Sequence, residues 1–313
     1  MKILYAGSPE FAVPALEKLM CNHEIVGLLC QPDKPKGRGK KVLPPPTKIF
    51  AQDHNIPVFQ PASLKDPALQ EELMSLDADV FVVCAYGKII PESLLYMYQH
   101  HAWNIHASIL PRWRGAAPIE RAILAGDTET GVCIMKMEKG LDTGPVLLEK
   151  RMQIESRNSH DLTNALSKLG ADAMLEAITL LEEGSYDLEE QPLDGVTYAH
   201  KIEKSEFKID FTKGNEEIIQ HINAFYPRAE CVIDHLPVKV LRAEVVSCES
   251  HLVPGTIISN GKAGLDVATG SGGIRILDMQ MVGKKPCAWS VIRNGYSNLF
   301  TVGKVFARSN AGE

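Results

Sequence analysis

The sequence predicts an α/β protein in which a domain built on a mostly parallel sheet is followed by a small β-barrel domain. Two observations predict this. Strand-like and helix-like segments alternate through the first half, and such alternation implies right-handed crossovers and a sheet covered by helices. Beyond about residue 207 the pattern changes to short β-like runs separated by Gly and Pro, as in a small barrel. A chain of 313 residues is long enough for two domains with separate cores.

Residues 2–6 read as the first strand, ended by the turn Gly7-Ser8-Pro9. A helix follows over 9–20 with Pro in its first turn, where a missing N–H does no harm. Residues 24–30 form the second strand and lead into a basic loop rich in Gly and Pro. A helix starts near Pro46, and residues 57–59 make a short strand. The apolar run 79–85 has the character of a central strand. Residues 102–106 and 130–137 supply two more strands, with a helix over 118–125 between them. Residues 159–183 form a long helix, with Leu162, Ala165, Leu166, Leu169, Ala173 and Ile178 on a helical period. The first domain is therefore expected over 1–183. Residues 182–194 hold six acidic residues and no basic one, so 184–206 is expected to be an acidic linker. The second domain is expected over 207–313, with one helix at 215–224 and β-like runs near 229–233, 236–246, 253–259, 264–268 and 273–281.

Composition narrows the class. A hydrophobic content of 45% with 23% charge fits an ordinary soluble globular chain, and no apolar run reaches the ~20 residues that span a bilayer. The seven Cys are scattered without a CxxC pair, which fits reduced thiols in a cytoplasmic protein and argues against a disulfide framework or a zinc site. The net charge of −6 is uneven: residues 1–206 carry 21 basic and 29 acidic residues, residues 207–313 carry 12 and 10. Within the acidic half, residues 34–48 contain six basic residues (Lys34, Lys36, Arg38, Lys40, Lys41, Lys48) and no acidic one, a local site for a polyanion.

The chemistry concentrates in residues 104–115, NIHASILPRWRG. On a strand, Asn104 and His106 share a face, and Pro111 stops the strand from continuing. An amide beside an imidazole at a strand end is suited to a carbonyl oxygen. A second polar group follows the strand 130–137: in Glu138-Lys139-Gly140-Leu141-Asp142-Thr143-Gly144-Pro145 the glycines allow a loop to bring Asp142 close to a ligand. Ligands of open parallel sheets bind at the carboxyl ends of strands, so His106 and Asp142 are expected to converge there. Other motifs are absent: there is no GxGxxG after the first strand, no GxSxG and no HExxH, and Gly255 to Lys262 misses the phosphate-loop spacing. Each residue also has a plainer reading. A strand-end His is often structural, an Asp between glycines often serves a turn, and a basic run is often a solvated loop. Their joint occurrence at one sheet edge favours the chemical reading.

At these residues the chain resembles the methionyl-tRNA formyltransferase family. Residues 104–119 (NIHASILPRWRGAAPI) and 140–144 (GLDTG) carry the likeness, supported by residues 7–14, 31–33, 37–41, 85–91, 198–202, 223–225 and 283–286. Two departures are Ile109 in place of Leu, and Pro227-Arg228-Ala229-Glu230 where the family often has Pro-Trp-Pro-Gly. The Asn-x-His…Asp core is shared with small-amine formyltransferases and formyltetrahydrofolate hydrolases, which remain alternatives, as does a non-catalytic RNA-binding protein. The resemblance implies a Rossmann-like formyltransferase domain followed by an OB-like barrel that contacts tRNA. It implies transfer of the formyl group of 10-formyltetrahydrofolate to the amino group of initiator Met-tRNA, by a cytoplasmic monomer without a metal. It assigns Asn104, His106 and Asp142 to catalysis: Asn104 and His106 donate to the oxyanion, and Asp142 orients His106 and relays a proton. Ser108, Ile109, Leu110 and Pro111, with Tyr86, Gly87 and Leu141, are expected to line the folate site. Arg38, Lys40 and Lys41 are expected to bind tRNA phosphates.

Overall fold

Every residue of β1 (Lys2–Gly7) after Lys2 is buried, as in a central strand covered on both faces. The computed structural model describes residues 1–36, 41–248 and 251–307. After β1, Pro14 lies in the first turn of α1 (Val13–Met20), which buries Ala15, Leu16 and Leu19. β2 (Glu24–Leu29) pairs parallel with β1. Part of the basic segment expected to be a loop forms an antiparallel hairpin, β3 (Lys34–Lys36) with β4 (Lys41–Leu43). Next come α2 (Pro46–Asp53), β5 (Val58–Phe59) and α3 (Pro67–Ser75), the last capped by Asp66 accepting from the Ala68 N–H at 3.1 Å. β6 (Val80–Cys84) is buried throughout. It is followed by α4 (Glu92–Leu95), β7 (Ala102–His106), β8 (Arg114–Gly115) and α5 (Pro118–Leu124). β9 (Glu129–Lys136), β10 (Val146–Gln153), α6 (Ser159–Glu183) and β11 (Tyr198–Ala199) complete this part.

The main sheet has the order β10-β9-β7-β6-β1-β2-β5. Pairings from β5 to β7 are parallel, so the sheet is mostly parallel, but β9 runs antiparallel to β7 with His106 opposite Cys133 and Trp103 opposite Lys136. This corrects the expectation that a crossover helix joins two parallel strands here. A crossover needs its helix packed back on the sheet, to carry the chain to the start of the next strand. Residues 119–128, most of α5, belong instead to the second of two compact units, and Leu124 packs in that unit's core. The chain therefore returns at the His106 end and runs back antiparallel.

The first unit comprises residues 1–118, 129–153 and 163–199. One face of its sheet buries Leu4, Ala6, Leu29, Phe81 and Val83 against Leu73 of α3 and Leu94 and Leu95 of α4. On the other face α6 approaches β7 closely, because position 170 is Gly: a Cβ there would lie 2.7 Å from Ile105 Cγ2. Of residues 184–206, which composition assigns to a linker, 184–199 lie in this unit and 200–206 in the second. Glu189 exchanges two backbone hydrogen bonds with Val146, and β11 pairs with β8.

The second unit comprises residues 119–128, 154–162 and 200 onward. After α7 (Asn215–Ala224) come β12 (Glu230–Ile233), β13 (Leu236–Val246), β14 (Ile257–Ser259), β15 (Leu265–Ala268) and β16 (Gly273–Met281). They form an antiparallel sheet of order β12-β13-β16-β15-β14, with β17 (Cys287–Ala288) beside β16. The curled sheet is a half-barrel, in keeping with the expected small barrel domain. Asp234 and His235, both at positive φ, make the tight turn between β12 and β13 that a twisted hairpin prefers. Ile218, Ile222 and Phe225 pack with Val240, Ile276 and Met279 in the core. The helix α8 (Trp289–Tyr296), which buries Trp289 and Ile292, is an addition to the elements expected from the sequence.

Candidate active site

Asn104 and His106 lie on one face of β7 at its carboxyl end. His106 is 5% exposed. Asn104 is half-buried, and its amide has no hydrogen-bond partner among the described residues, so both of its N–H groups are available to a substrate oxygen.

The segment after His106 builds a frame from backbone groups. Leu110–Pro111 is cis, Ser108 Oγ donates to the Arg112 carbonyl at 2.6 Å, and Trp113 takes φ 65°. The chain folds back on itself, and the Trp113 carbonyl comes to 3.0 Å from His106 Nε2. A carbonyl only accepts, so Nε2 carries the proton of that bond and Nδ1 faces the Asp142 side. Nδ1 lies 3.7 Å from Asp142 Oδ2, beyond hydrogen-bond length but within ion-pair range. The hydrogen bond that orients the imidazole thus comes from Trp113, where the sequence alone suggested Asp142.

Asp142 arrives on the loop between β9 and β10. Its backbone is left-handed, at φ 51°, and its Oδ2 accepts from the Gly115 N–H at 2.8 Å. Gln191 Nε2 donates to the Asp142 carbonyl at 2.9 Å and to the Gly144 carbonyl at 2.7 Å. Gly144 has no room for a side chain, since a Cβ would overlap the Lys136 carbonyl oxygen. Cys133 stands opposite His106 in the register, but burial pushes its thiol up to about 12 and its sulfur accepts from the Leu110 N–H. It is a packing sulfur, not an activated nucleophile.

The other expected residues distribute as follows. Ser108 and Leu110 are buried, Ile109 and Pro111 half-buried, all directly after β7. Tyr86 and Gly87 leave the carboxyl end of β6, the parallel neighbour of β7, so they reach the same sheet edge. Tyr86 is buried, its hydroxyl has no hydrogen-bond partner among the described residues, and burial pushes it up to about 12. Leu141 is 61% exposed beside Asp142. Lys41 is exposed on β4, while Arg38 and Lys40 lie outside the described residues. Lys48 is committed to Asp33 at 2.9 Å and Gln60 at 2.7 Å, so it anchors the hairpin base. Sequence reasoning missed the Trp113 carbonyl, the Gly115 N–H and Gln191. Backbone groups have no letter of their own, and Gln191 lies 49 positions from Asp142 inside an acidic stretch.

Residues 1–178 match the family described as "Formyl transferase", and residues 201–297 match "Formyl transferase, C-terminal domain". A curated relative from Xanthomonas axonopodis pv. citri, named methionyl-tRNA formyltransferase, is 45% identical over 289 residues, covering 91% of this chain and 94% of that one. The chain belongs to the methionyl-tRNA formyltransferase family. A relative of the same name from Coxiella burnetii is 43% identical over 308 residues, covering 97% of this chain and 98% of that one. In fold, the chain is similar to an N-formyltransferase from Helicobacter canadensis solved with folinic acid and dTDP-3-aminofucose. The TM-score is 0.66 at 20% identity, covering 90% of this chain and 99% of that one. Among the described residues no helix is long and apolar enough to cross a membrane.

Proposed function

We propose that this member of the methionyl-tRNA formyltransferase family moves the formyl group of 10-formyltetrahydrofolate to the α-amino group of initiator Met-tRNA, and that Asn104, His106 and Asp142 carry the step. The observation that supports it is the meeting of a free amide, a fixed imidazole and a carboxylate at one strand end.

The roles follow from the atoms. Attack of the amine on the formyl carbon pushes the carbonyl electron pair onto oxygen, and Asn104 donates to that oxyanion. Because His106 Nε2 is engaged by Trp113, His106 can donate to the same oxygen only from Nδ1. The ring then carries both protons, and Asp142 at 3.7 Å is its counter-charge. As the folate nitrogen's bond to the formyl carbon breaks, His106 gives that nitrogen its Nδ1 proton, and the neutral ring then takes the proton that the newly formylated amine loses, which returns it to its starting state. No covalent enzyme intermediate is required. Residues 108–111 with Tyr86, Gly87 and Leu141 form the folate wall, where the half-buried Ile109 and Pro111 and the exposed Leu141 suit a flat aromatic ring. Arg38, Lys40 and Lys41 of the basic segment hold the acceptor-end phosphates.

Incubation with 10-formyltetrahydrofolate and aminoacylated tRNA tests the reading. Formyl-methionine should appear on initiator tRNA in preference to elongator tRNA. Formylation of small amines alone, or plain hydrolysis of the donor, would overturn it.

A further inference from the structure

We propose that Gln191 is a positioning residue that holds the 142–144 loop so that the Asp142 carboxylate faces His106. The inference rests on the roles proposed above for Asp142 and His106.

Gln191 uses both ends of its amide. Its Oε1 accepts from Arg114 Nε at 3.0 Å and Nη2 at 2.7 Å, while its Nε2 donates to the Asp142 and Gly144 carbonyls. Gly115, the neighbour of Arg114, donates its N–H to Asp142 Oδ2. The contacts close a ring: Arg114 side chain, Gln191 amide, Asp142 backbone, Asp142 carboxylate, Gly115 backbone and back to Arg114. Asp142 is thereby gripped at its carbonyl and at its carboxylate.

The loop has reason to need this grip. Asp142 occupies the left-handed region, sparsely populated for residues other than Gly. Two carbonyl oxygens aimed at one point repel each other unless a donor stands between them. A neutral amide is suited to accept from a guanidinium and donate to two carbonyls at once. Gln191 is itself held on both sides. Val146 and Glu189 exchange backbone hydrogen bonds at 2.8 and 2.9 Å, and Thr197 receives the Arg114 N–H at its carbonyl and the Trp113 N–H at its hydroxyl. Arg114, at 9% exposure, is sheltered enough for its partner to matter.

The test is a double-mutant cycle with an amide-exchange readout. Gln191→Ala should lower kcat about ten- to a hundredfold, as small misplacements do, with both KM values within about twofold of wild type. In an Asp142→Asn background the same substitution should change kcat less than about twofold, because it acts only through that carboxylate. Hydrogen exchange at the Gly115 amide, which reports whether Asp142 is seated, should speed up. Gln191→Glu keeps the Arg114 acceptor but has no donor for the two carbonyls, so it separates folding from positioning. It should still melt in one cooperative transition, below the wild-type temperature because a carboxylate oxygen now faces two carbonyls, and lose turnover. Wild-type kcat in Gln191→Glu, an equal loss in the Asp142→Asn background, or unchanged Gly115 exchange would overturn the proposal. Should the wild-type protein formylate no Met-tRNA, the function reading fails, and Gly115 exchange still decides whether Gln191 seats the loop.

Discussion

Asp142→Asn isolates the charge of the carboxylate with little change of shape. The asparagine carbonyl can still accept from the Gly115 N–H, now 2.8 Å from Oδ2, so the loop keeps that anchor. What disappears is the negative charge 3.7 Å from His106 Nδ1. At an effective dielectric of ~20, opposite unit charges at that separation attract by about 4 kcal/mol. Asp142 retains 16% side-chain exposure against 5% for His106, and water at that edge trims the figure. A loss of roughly 3 kcal/mol in the transition state, where the ring carries both protons, corresponds to roughly a hundredfold in turnover. Single-turnover formylation at saturating donor and Met-tRNA, with the product quantified after deacylation, measures it. Wild-type affinity for both substrates should persist. A variant that folds normally and turns over within about fivefold of wild type would refute the counter-charge role, since fivefold is only about 1 kcal/mol.

Lys41→Ala and Arg38→Ala should each weaken Met-tRNA binding and reduce the slope of log affinity against log salt by about 0.7–0.9, with donor affinity unchanged; an unaltered slope would overturn a tRNA role for the basic segment. Gly144→Ala should destabilise the first unit by about 1–3 kcal/mol and lower turnover, because the added methyl must displace the Lys136 carbonyl; denaturant titration beside kinetics checks both. Burial holds the His221 imidazole below its ordinary 6.5, with Nδ1 enclosed and without a partner among the described residues, so the unfolded chain binds more protons than the folded one. Stability present above 6.5 is therefore lost as pH falls from that value toward the folded pKa, and His221→Gln should flatten the denaturant midpoint across the window. Glu206, held low chiefly by Arg121, acts in a separate window below 4.5.

Side-chain periodicity made most of the fold legible. The long helix and the second unit's longest strand stand where the pattern put them, at Ser159–Glu183 and Leu236–Val246, because both are long and strongly patterned. Strand direction was not legible. Residues 118–124 are helical as expected, yet sequence cannot tell a helix that covers its own sheet from one that serves another core. The basic segment hid a hairpin because β3 and β4 have only three residues each, too few to show a period of two. The amphipathic α8 went unread beside the Gly- and Pro-rich runs before it.

The antiparallel turn of β9 changes how the candidate site comes together. Its carboxyl end, at Lys136, lies beside Trp103 and not beside His106. The expected convergence of His106 and Asp142 therefore cannot come from two parallel strands ending at one edge. The loop must carry Asp142 back to the His106 end, and that return needs anchors outside the sheet. The Gly115 N–H and the Gln191 amide are such anchors, and the Trp113 carbonyl does the same for the imidazole. The proposed reactive side chains are thus legible as letters, whereas their aim depends on backbone atoms set by Gly115 and Gly144. Substitutions at those turn residues should accordingly damage turnover more than their small side chains suggest, since each would move a hydrogen-bonding group that has no side chain to replace it.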